Sequence, residues 1–137
     1  MLTCDQSPPG QFLLAIRQFN SRDWYDCHET IEDLWLGETG EMKDFLQGTL
    51  QISVGLLHWR NGNHGGAVSL LASGVNYLKR VPDVCLWVDV PSLIADSDRV
   101  RVALEELGKD HMEMLESTLL PQIKTVSATR HSSTAEE

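Results

Sequence analysis

The chain has 137 residues, a formal net charge of −9 and a hydrophobic content of 42%. That length fits one domain with a buried core, and the composition is typical of a globular protein rather than a disordered one. The 11 Lys and Arg residues are scattered along the sequence, so we expect neither nucleic acid nor membrane as a partner.

The first part of the chain predicts four helices separated by turn residues. Pro8-Pro9-Gly10 precedes a helix over about 11–20, and Ser21 or Asp23 can cap a second helix that runs to about Leu36. A third helix over about 43–61 is closed by a glycine. Asn63 can cap a fourth over about 64–80, which a proline stops.

The second part of the chain predicts one or two more helices. Asp89-Val90-Pro91 starts a fifth that runs to about Leu107, and a sixth over about 109–120 follows Gly108. The only β-rich run, 84–90, has no partner strand. The prediction is an all-α, compact bundle of five to six helices built from antiparallel helical hairpins. It forms a single domain over 1–121, and residues 122–137 form a frayed polar tail.

Three cysteines and the absence of a targeting signal bear on the compartment. Cys4, Cys27 and Cys85 are odd in number and far apart, which argues against a disulfide scaffold and favours a reducing compartment. The N terminus lacks a basic region followed by an apolar run. The longest uncharged stretch, 45–59, falls short of the ~20 residues that span a bilayer. We therefore expect a soluble, cytoplasmic protein.

The second helix carries two polar residues at the edge of an apolar face. At about 100° per residue, one apolar arc is formed by Trp24, Cys27, Ile31, Leu34 and Trp35. His28 and Glu32 lie one turn apart at the edge of that arc, and Trp35 lies beside His28. Glu29 points toward water. Two polar groups therefore lie at the border between the buried face and the exposed face of the helix.

The third helix is apolar nearly all round, which is typical of a central helix covered on most faces. Gln47, Gln51 and His58 nevertheless form one polar stripe, flanked by Gly48 and Gly55. A glycine in mid-helix costs roughly 1 kcal/mol relative to alanine. Two glycines one heptad apart indicate that a neighbouring backbone approaches closely.

The two patterns together predict a semi-buried polar pocket between the second and third helices. These helices share a short connection and should pack antiparallel, which places the polar stripe against the His28 edge. Trp59 could form a second apolar wall. The predicted pocket residues are His28, Glu32, Trp35, Gln47, Gln51 and His58, with Arg60 and Asn63 at the border.

Four interpretations of these residues stay open. The cluster is a structural network that fixes helix register, or a pocket for a small ligand or a protein partner. A third interpretation is a divalent metal site, with His28, Glu32 and His58 as ligands. It would support a metal-dependent hydrolase with Glu29 or a bound water as the base. In the fourth, the face of Gly48 and Gly55 meets a second copy of the chain in a homo-oligomer.

Three blocks of sequence resemble a known family. They are Phe19-Asn20 with Trp24 to Trp35, then Leu46-Gln47-Gly48-Thr49-Leu50-Gln51 with His58, and then Gly62 to Leu71. As a set these blocks resemble the domain of unknown function 309 family of prokaryotic and plastid proteins. The resemblance implies a compact all-helical fold and no assigned reaction. We therefore favour a non-catalytic binding or scaffold domain.

Overall fold

A computed structural model describes residues 1–126 of the chain. Within these residues it contains five α-helices, one β-hairpin and two short 3₁₀ helices. The α-helices are α1 (Gly10–Asn20), α2 (Trp24–Trp35), α3 (Gly40–Arg60), α4 (His64–Leu78) and α5 (Val90–Leu107). The strands are β1 (Val84–Cys85) and β2 (Val88–Asp89), and the 3₁₀ helices cover Met112–Met114 and Ser117–Leu119. The predicted all-α architecture is confirmed.

The helix boundaries follow from capping residues that the sequence displays. The Asn63 side chain accepts a hydrogen bond from the Gly66 amide at 2.9 Å and caps α4. Asp89 accepts from the Ser92 amide at 3.1 Å and caps α5. Gly108, with a φ of 77°, ends α5 in a conformation that glycine adopts without strain.

The central helix is α3, as its apolar sequence predicted. It packs against α2 on one side and most extensively against α4 on the other. The Phe45 ring lies 5.6 Å from the Phe12 ring of α1, between centroids. Phe45, Leu46, Ile52 and Leu56 are fully buried. Burial of this kind, at about 25 cal/mol per Å² of apolar surface, is the main stabilisation of the bundle.

The glycines of α3 face α4 within the same chain. A Cβ on Gly48 would lie 2.9 Å from the Gly74 carbonyl oxygen, and one on Gly55 would lie 3.2 Å from Leu71 Cγ. The predicted close approach of a neighbouring backbone is therefore confirmed. Because α4 already covers this face, the structure does not favour the homo-oligomer that would use it.

A β-hairpin connects α4 to α5, although no strand pair was expected. Val84 pairs with Asp89 and Cys85 pairs with Val88 in antiparallel register. Leu86 and Trp87 form the two-residue turn with φ angles of 47° and 69°. Such turns normally use glycine or asparagine, so sequence rules overlook a Leu-Trp turn. The fully buried Leu86 side chain compensates for the strained backbone.

A disulfide joins Cys4 to Cys85 and corrects the cysteine prediction. The Leu86 amide also donates a hydrogen bond to the Cys4 carbonyl at 2.8 Å. The N-terminal segment is thereby held against the hairpin. Sequence spacing failed here because the two cysteines lie 81 positions apart and only the fold brings them together.

The predicted sixth helix over 109–120 is wrong. The two 3₁₀ helices stand there, joined by extended backbone at Leu115 and Glu116. The predicted start of the tail at residue 122 is also wrong, since Ile123 is buried and exchanges two hydrogen bonds with Asn20, at 2.7 and 3.1 Å. Thr125 bridges Val88. The rest of the predicted tail, 127–137, lies outside the described residues.

No helix in residues 1–126 combines the length and the apolar character needed to cross a membrane.

Candidate functional site

His28 occupies the edge of α2, as its spacing predicted. Its Nε2 lies 3.6 Å from Glu32 Oε2, and its ring lies 5.9 Å from the Tyr25 ring between centroids. The carboxylate of Glu32 is about half exposed, so the pair contributes little to stability. The other ring nitrogen, Nδ1, is buried and has no hydrogen-bond partner within residues 1–126.

Trp35 and Gln47 meet in one cavity of about 240 Å³, where the end of α2 passes the beginning of α3. Lys43 Nζ lies 4.5 Å from the centroid of the Trp35 ring, a cation–π contact. Asp44 and Tyr77 complete the lining. The indole Nε1 of Trp35 is buried and makes no hydrogen bond to any described residue.

Three lining residues of this cavity were missed by the sequence analysis. Lys43 and Asp44 lie one turn before Gln47 on the same helix, so the helical period would have found them. Tyr77 belongs to α4, and no local pattern places it beside Trp35.

Gln51 lies one turn after Gln47 on α3 and, like His28 and Trp35, has a buried polar atom without a partner in residues 1–126. Its Oε1 is buried without a hydrogen-bond partner in the described part of the chain. Buried polar groups in folded proteins are nearly always paired, so each exception requires an explanation. Three of the predicted pocket residues therefore bury polar atoms that the described fold does not satisfy: His28, Trp35 and Gln51.

His58 belongs to a different contact. Its Nδ1 lies 3.3 Å from Asn63 Nδ2, while Asn63 Oδ1 accepts from the Gly66 amide. Because Asn63 Nδ2 can only donate, His58 Nδ1 is the acceptor in this contact. His58 Cδ2 lies 2.9 Å from the position that a Cβ on Gly66 would take. His58 therefore supports the start of α4.

The predicted metal ligands are not assembled. Residues 1–126 contain no group of three or more His, Cys, Asp or Glu side chains arranged to hold a metal ion. The spacing of His28 and Glu32 brought those two together, but His58 points to the α3–α4 turn. Because His58 is not available as the third ligand, the structure does not support the metal-dependent hydrolase.

Arg60 and Trp59 lie at the far end of the α2–α3 pair, not beside Trp35. The Arg60 guanidinium stands 4.3 Å from the centroid of the Trp24 ring and donates a hydrogen bond to the Arg22 carbonyl. Trp59 Nε1 donates to the Met112 carbonyl at 3.1 Å. Both line a separate cavity of about 410 Å³, so the prediction of Trp59 and Arg60 in one pocket with Trp35 is wrong.

Glu29 is exposed. It lines a cavity of about 310 Å³ between α1 and α2, shared with Gln11, Leu14, Gln18, Asp26, Thr30 and Asp33. None of these residues is a histidine or a nucleophile activated by one. Nothing in this arrangement supports Glu29 as a catalytic base.

Cys27 is buried between α2 and α3. Burial raises the pKa of its thiol from 9.0 to about 11, although hydrogen bonds with Ser53 and the Phe19 backbone oppose the shift. Its Sγ lies 3.5 Å from Ser53 Oγ. A thiol that stays protonated and inaccessible at neutral pH is a structural group, not a nucleophile.

Comparison with known proteins finds the family that the sequence motifs resemble. The model of Domain of unknown function (DUF309) matches residues 12–70, which hold most of α1, all of α2 and α3, and the beginning of α4. The uncharacterized protein YpuF of Bacillus subtilis (strain 168) is 31% identical over 124 residues. That alignment covers 88% of this chain and 60% of the relative, so the chain spans less than two thirds of that protein. The resemblance seen in the sequence is confirmed: residues 12–70 match the model of the domain of unknown function 309 family.

Proposed function

We propose that the chain is a binding domain whose pocket runs along one edge of the α2–α3 pair, from Trp35 and Gln47 toward His28 and Gln51. One observation carries the proposal. Buried polar atoms without a hydrogen-bond partner in residues 1–126 occur on three of these side chains: His28 Nδ1, Trp35 Nε1 and Gln51 Oε1.

The pairing of α2 and α3 supports a common edge. The helices run antiparallel, because Trp24 at the start of α2 contacts Trp59 at the end of α3, with 6.3 Å between ring centroids. At the opposite end, Trp35 shares its cavity with Gln47. These two contacts fix the register of the pair.

With this register, the other two residues, His28 and Gln51, lie along the same edge of the helix pair as the Trp35 cavity. His28 precedes Trp35 by seven residues, about two turns, and so lies on the same side of α2. Gln51 follows Gln47 by one turn on α3. Because α2 and α3 are antiparallel, the step from Trp35 back to His28 and the step from Gln47 forward to Gln51 run in the same direction, away from the cavity.

The polar atoms of His28, Trp35 and Gln51 that lack a partner within the described residues lower the stability of the fold when no ligand is bound. A buried polar atom left without a partner destabilises a fold by about 1–3 kcal/mol. A purely structural network would satisfy its own members. Residues that break local rules without a compensating contact are expected at functional sites.

The polar atoms define the chemistry of the ligand. Trp35 Nε1 can only donate a hydrogen bond, Gln51 Oε1 can only accept one, and His28 Nδ1 can do either. The Trp35 and Tyr77 rings supply flat apolar surface, and Lys43 and Asp44 contribute one charge of each sign. The ligand class that fits is a small planar molecule with adjacent donor and acceptor groups, such as a nucleobase or an aromatic amide.

Two substitutions separate the binding site from a structural network. Gln51→Met removes the unpartnered oxygen and keeps the shape, so we expect an increase in the free energy of unfolding of about 1 kcal/mol or more. Gln18→Met is the matched control, because Gln18 Oε1 accepts from Thr30 Oγ1 at 2.8 Å and its loss should destabilise. Urea unfolding measures both changes. A loss of stability in the Gln51 variant would return Gln51 to a structural role.

A second measurement tests ligand binding itself. The indole N–H resonance of Trp35, assigned with Trp35→Phe, is followed by NMR during titration with uracil, adenine and nicotinamide. We expect at least one of these to shift that resonance in the parent and to lose the effect in the Gln51→Met variant. Shifts of equal size in parent and variant, or none with any of the three compounds, would contradict the proposed pocket.

The cytoplasmic location remains part of this proposal, as does the absence of nucleic-acid and membrane partners. The cysteines do not indicate a reducing compartment, because Cys4 and Cys85 are disulfide-bonded.

A further inference from the structure

A fourth cavity, of about 380 Å³, lies between the α1–α2 turn, α5 and the C-terminal part of the described chain. Its lining consists of Arg22, Asp96, Arg99, Ser117, Thr118, Leu119, Leu120, Gln122 and Lys124. The three basic residues come from three separate segments. They belong to the Lys and Arg residues that look scattered in the sequence, and the fold gathers them.

The charges of this cavity oppose those of the whole chain. Asp96 Oδ1 accepts a hydrogen bond from Arg99 Nη1 at 3.0 Å, and Asp96 Oδ2 lies 3.7 Å from Lys124 Nζ. One carboxylate is thus shared by two cations. Arg22 forms no ion pair with a carboxylate within residues 1–126. The lining therefore carries an excess of positive charge on a chain whose net charge is −9.

The backbone of Arg22 is fixed in an unusual conformation. Its φ is 65°, in the left-handed region that non-glycine residues seldom adopt. The Arg60 guanidinium donates a hydrogen bond to the Arg22 carbonyl while it stacks on Trp24. Backbone strain that neighbouring contacts maintain is common at ligand sites. The Arg60 contacts hold the Arg22 backbone in place, and the Arg22 backbone sets the point from which its side chain extends along the cavity.

We propose that this cavity binds the phosphoryl group of a small phosphorylated molecule. Guanidinium groups match phosphate oxygens in bidentate geometry, and the Lys124 ammonium adds a third positive charge. The hydroxyls of Ser117 and Thr118 are further donors, and Leu119 offers apolar surface to an organic substituent. The volume falls within the range of roughly 300–1,000 Å³ that is typical of small-molecule pockets.

The proposal does not depend on the α2–α3 pocket, because the two sites share no lining residue. Arg60 is a positioning residue here: it reaches the cavity only through the Arg22 backbone. This gives Arg60, a member of the predicted pocket, a different role.

The experiment uses the full chain, with inorganic phosphate and glycerol 3-phosphate as probes. Isothermal titration is carried out at constant ionic strength, with sodium chloride as the ionic control. We expect saturable binding of a phosphate probe with a Kd below about 1 mM. Tighter binding of glycerol 3-phosphate than of phosphate would support a phosphomonoester, and equal affinities would support the phosphoryl group alone.

Two charge-matched substitutions decide whether the cavity is the site. Arg22→Gln should weaken phosphate binding by about tenfold or more, since it removes a charge-assisted contact. Arg17→Gln removes the same charge from an exposed position of α1 outside the cavity and should leave the Kd unchanged. Lys124→Gln provides an independent variant on another segment. Equal losses in the Arg17 and Arg22 variants, or no saturable binding to the parent chain, would overturn the proposal.

Discussion

Gly48 and Gly74 face each other across the contact between α3 and α4, backbone against backbone. A Cβ on Gly48 would stand 2.9 Å from the Gly74 carbonyl oxygen, and a Cβ on Gly74 would stand 2.8 Å from the Gly48 carbonyl oxygen. Separations below 3.0 Å leave no room for a methyl group unless a helix moves. This reciprocal contact sets the distance between the central helix and its most extensive neighbour.

Gly74→Ala should lower the free energy of unfolding by about 1–3 kcal/mol, because overpacking forces the two helices apart. Gly65→Ala is the matched control in the same helix, where a Cβ would meet no atom within 4 Å. That change should raise stability by about 0.4–1 kcal/mol, since alanine loses less conformational entropy on folding. Urea unfolding of the two variants measures the difference. Equal effects would mean that the α3–α4 contact relaxes freely.

The sequence predicted the helices well because their signals are local. Asn63 and Asp89 cap helices through their own side chains, and a 3.6-residue period marks the apolar faces. The glycines of α3 also indicated a close neighbour. Which neighbour it was could not be predicted, because α3 is joined by short connections to both α2 and α4, and each hairpin is plausible.

The structure brings predicted site residues together only where they lie one helical turn or one helical hairpin apart. His28 and Glu32 share a face, and Trp35 meets Gln47 across the α2–α3 pair. His58 was assigned to the wrong neighbouring helix. The polar stripe of α3 (Gln47, Gln51 and His58) lies between α2 and α4, and His58, at its C-terminal end, contacts Asn63 in the α3–α4 turn. The helical period predicts which face of α3 a residue occupies, but it does not predict which neighbouring helix packs against that face.

The C-terminal elements escaped prediction because tertiary contacts decide them. The Met112 carbonyl accepts a hydrogen bond from the Trp59 indole, and the buried Leu115 is extended, with a ψ of 125°. Both features prevent a regular helix over 109–120. The clustering of Arg22, Arg99 and Lys124 depends on the same long-range packing.

Asn63→Ala should destabilise the chain by about 1 kcal/mol, because the cap of α4 and the contact with His58 are lost together. Asn61→Ala is the control, since Asn61 is exposed two residues earlier in the same turn. Its substitution should change stability by less than about 0.5 kcal/mol. Thermal unfolding of both variants tests this, and a loss in the Asn61 variant as large as that in the Asn63 variant would contradict the assigned cap.

Cys27 predicts a pH dependence of stability. Burial raises the pKa of its thiol from 9.0 to about 11, so the unfolded chain releases the proton at lower pH than the folded chain does. The contribution of Cys27 is fully present below pH 9 and disappears as the pH rises toward 11. It amounts to about 2–3 kcal/mol over that interval.

Cys27→Ala isolates this contribution. The difference in unfolding free energy between parent and variant should be constant below pH 9 and should shrink as the pH approaches 11. Urea titrations at several pH values measure it. A difference that does not depend on pH would show that the Cys27 thiol ionises alike in the folded and unfolded chain.

The Cys4–Cys85 disulfide should stabilise the fold by about 2–4 kcal/mol, because it closes a long loop in the unfolded chain. Urea unfolding with and without a reductant measures this in the parent. The Cys4→Ser/Cys85→Ser double variant should resemble the reduced parent and should not respond to reductant. We expect the reduced chain to remain folded, since the Leu86 amide still donates to the Cys4 carbonyl and the Leu2 amide to Glu38. Thiol titration of the unfolded, unreduced parent gives the decisive count: the Cys27 thiol alone agrees with the disulfide, and a titre equal to all 3 cysteines contradicts it.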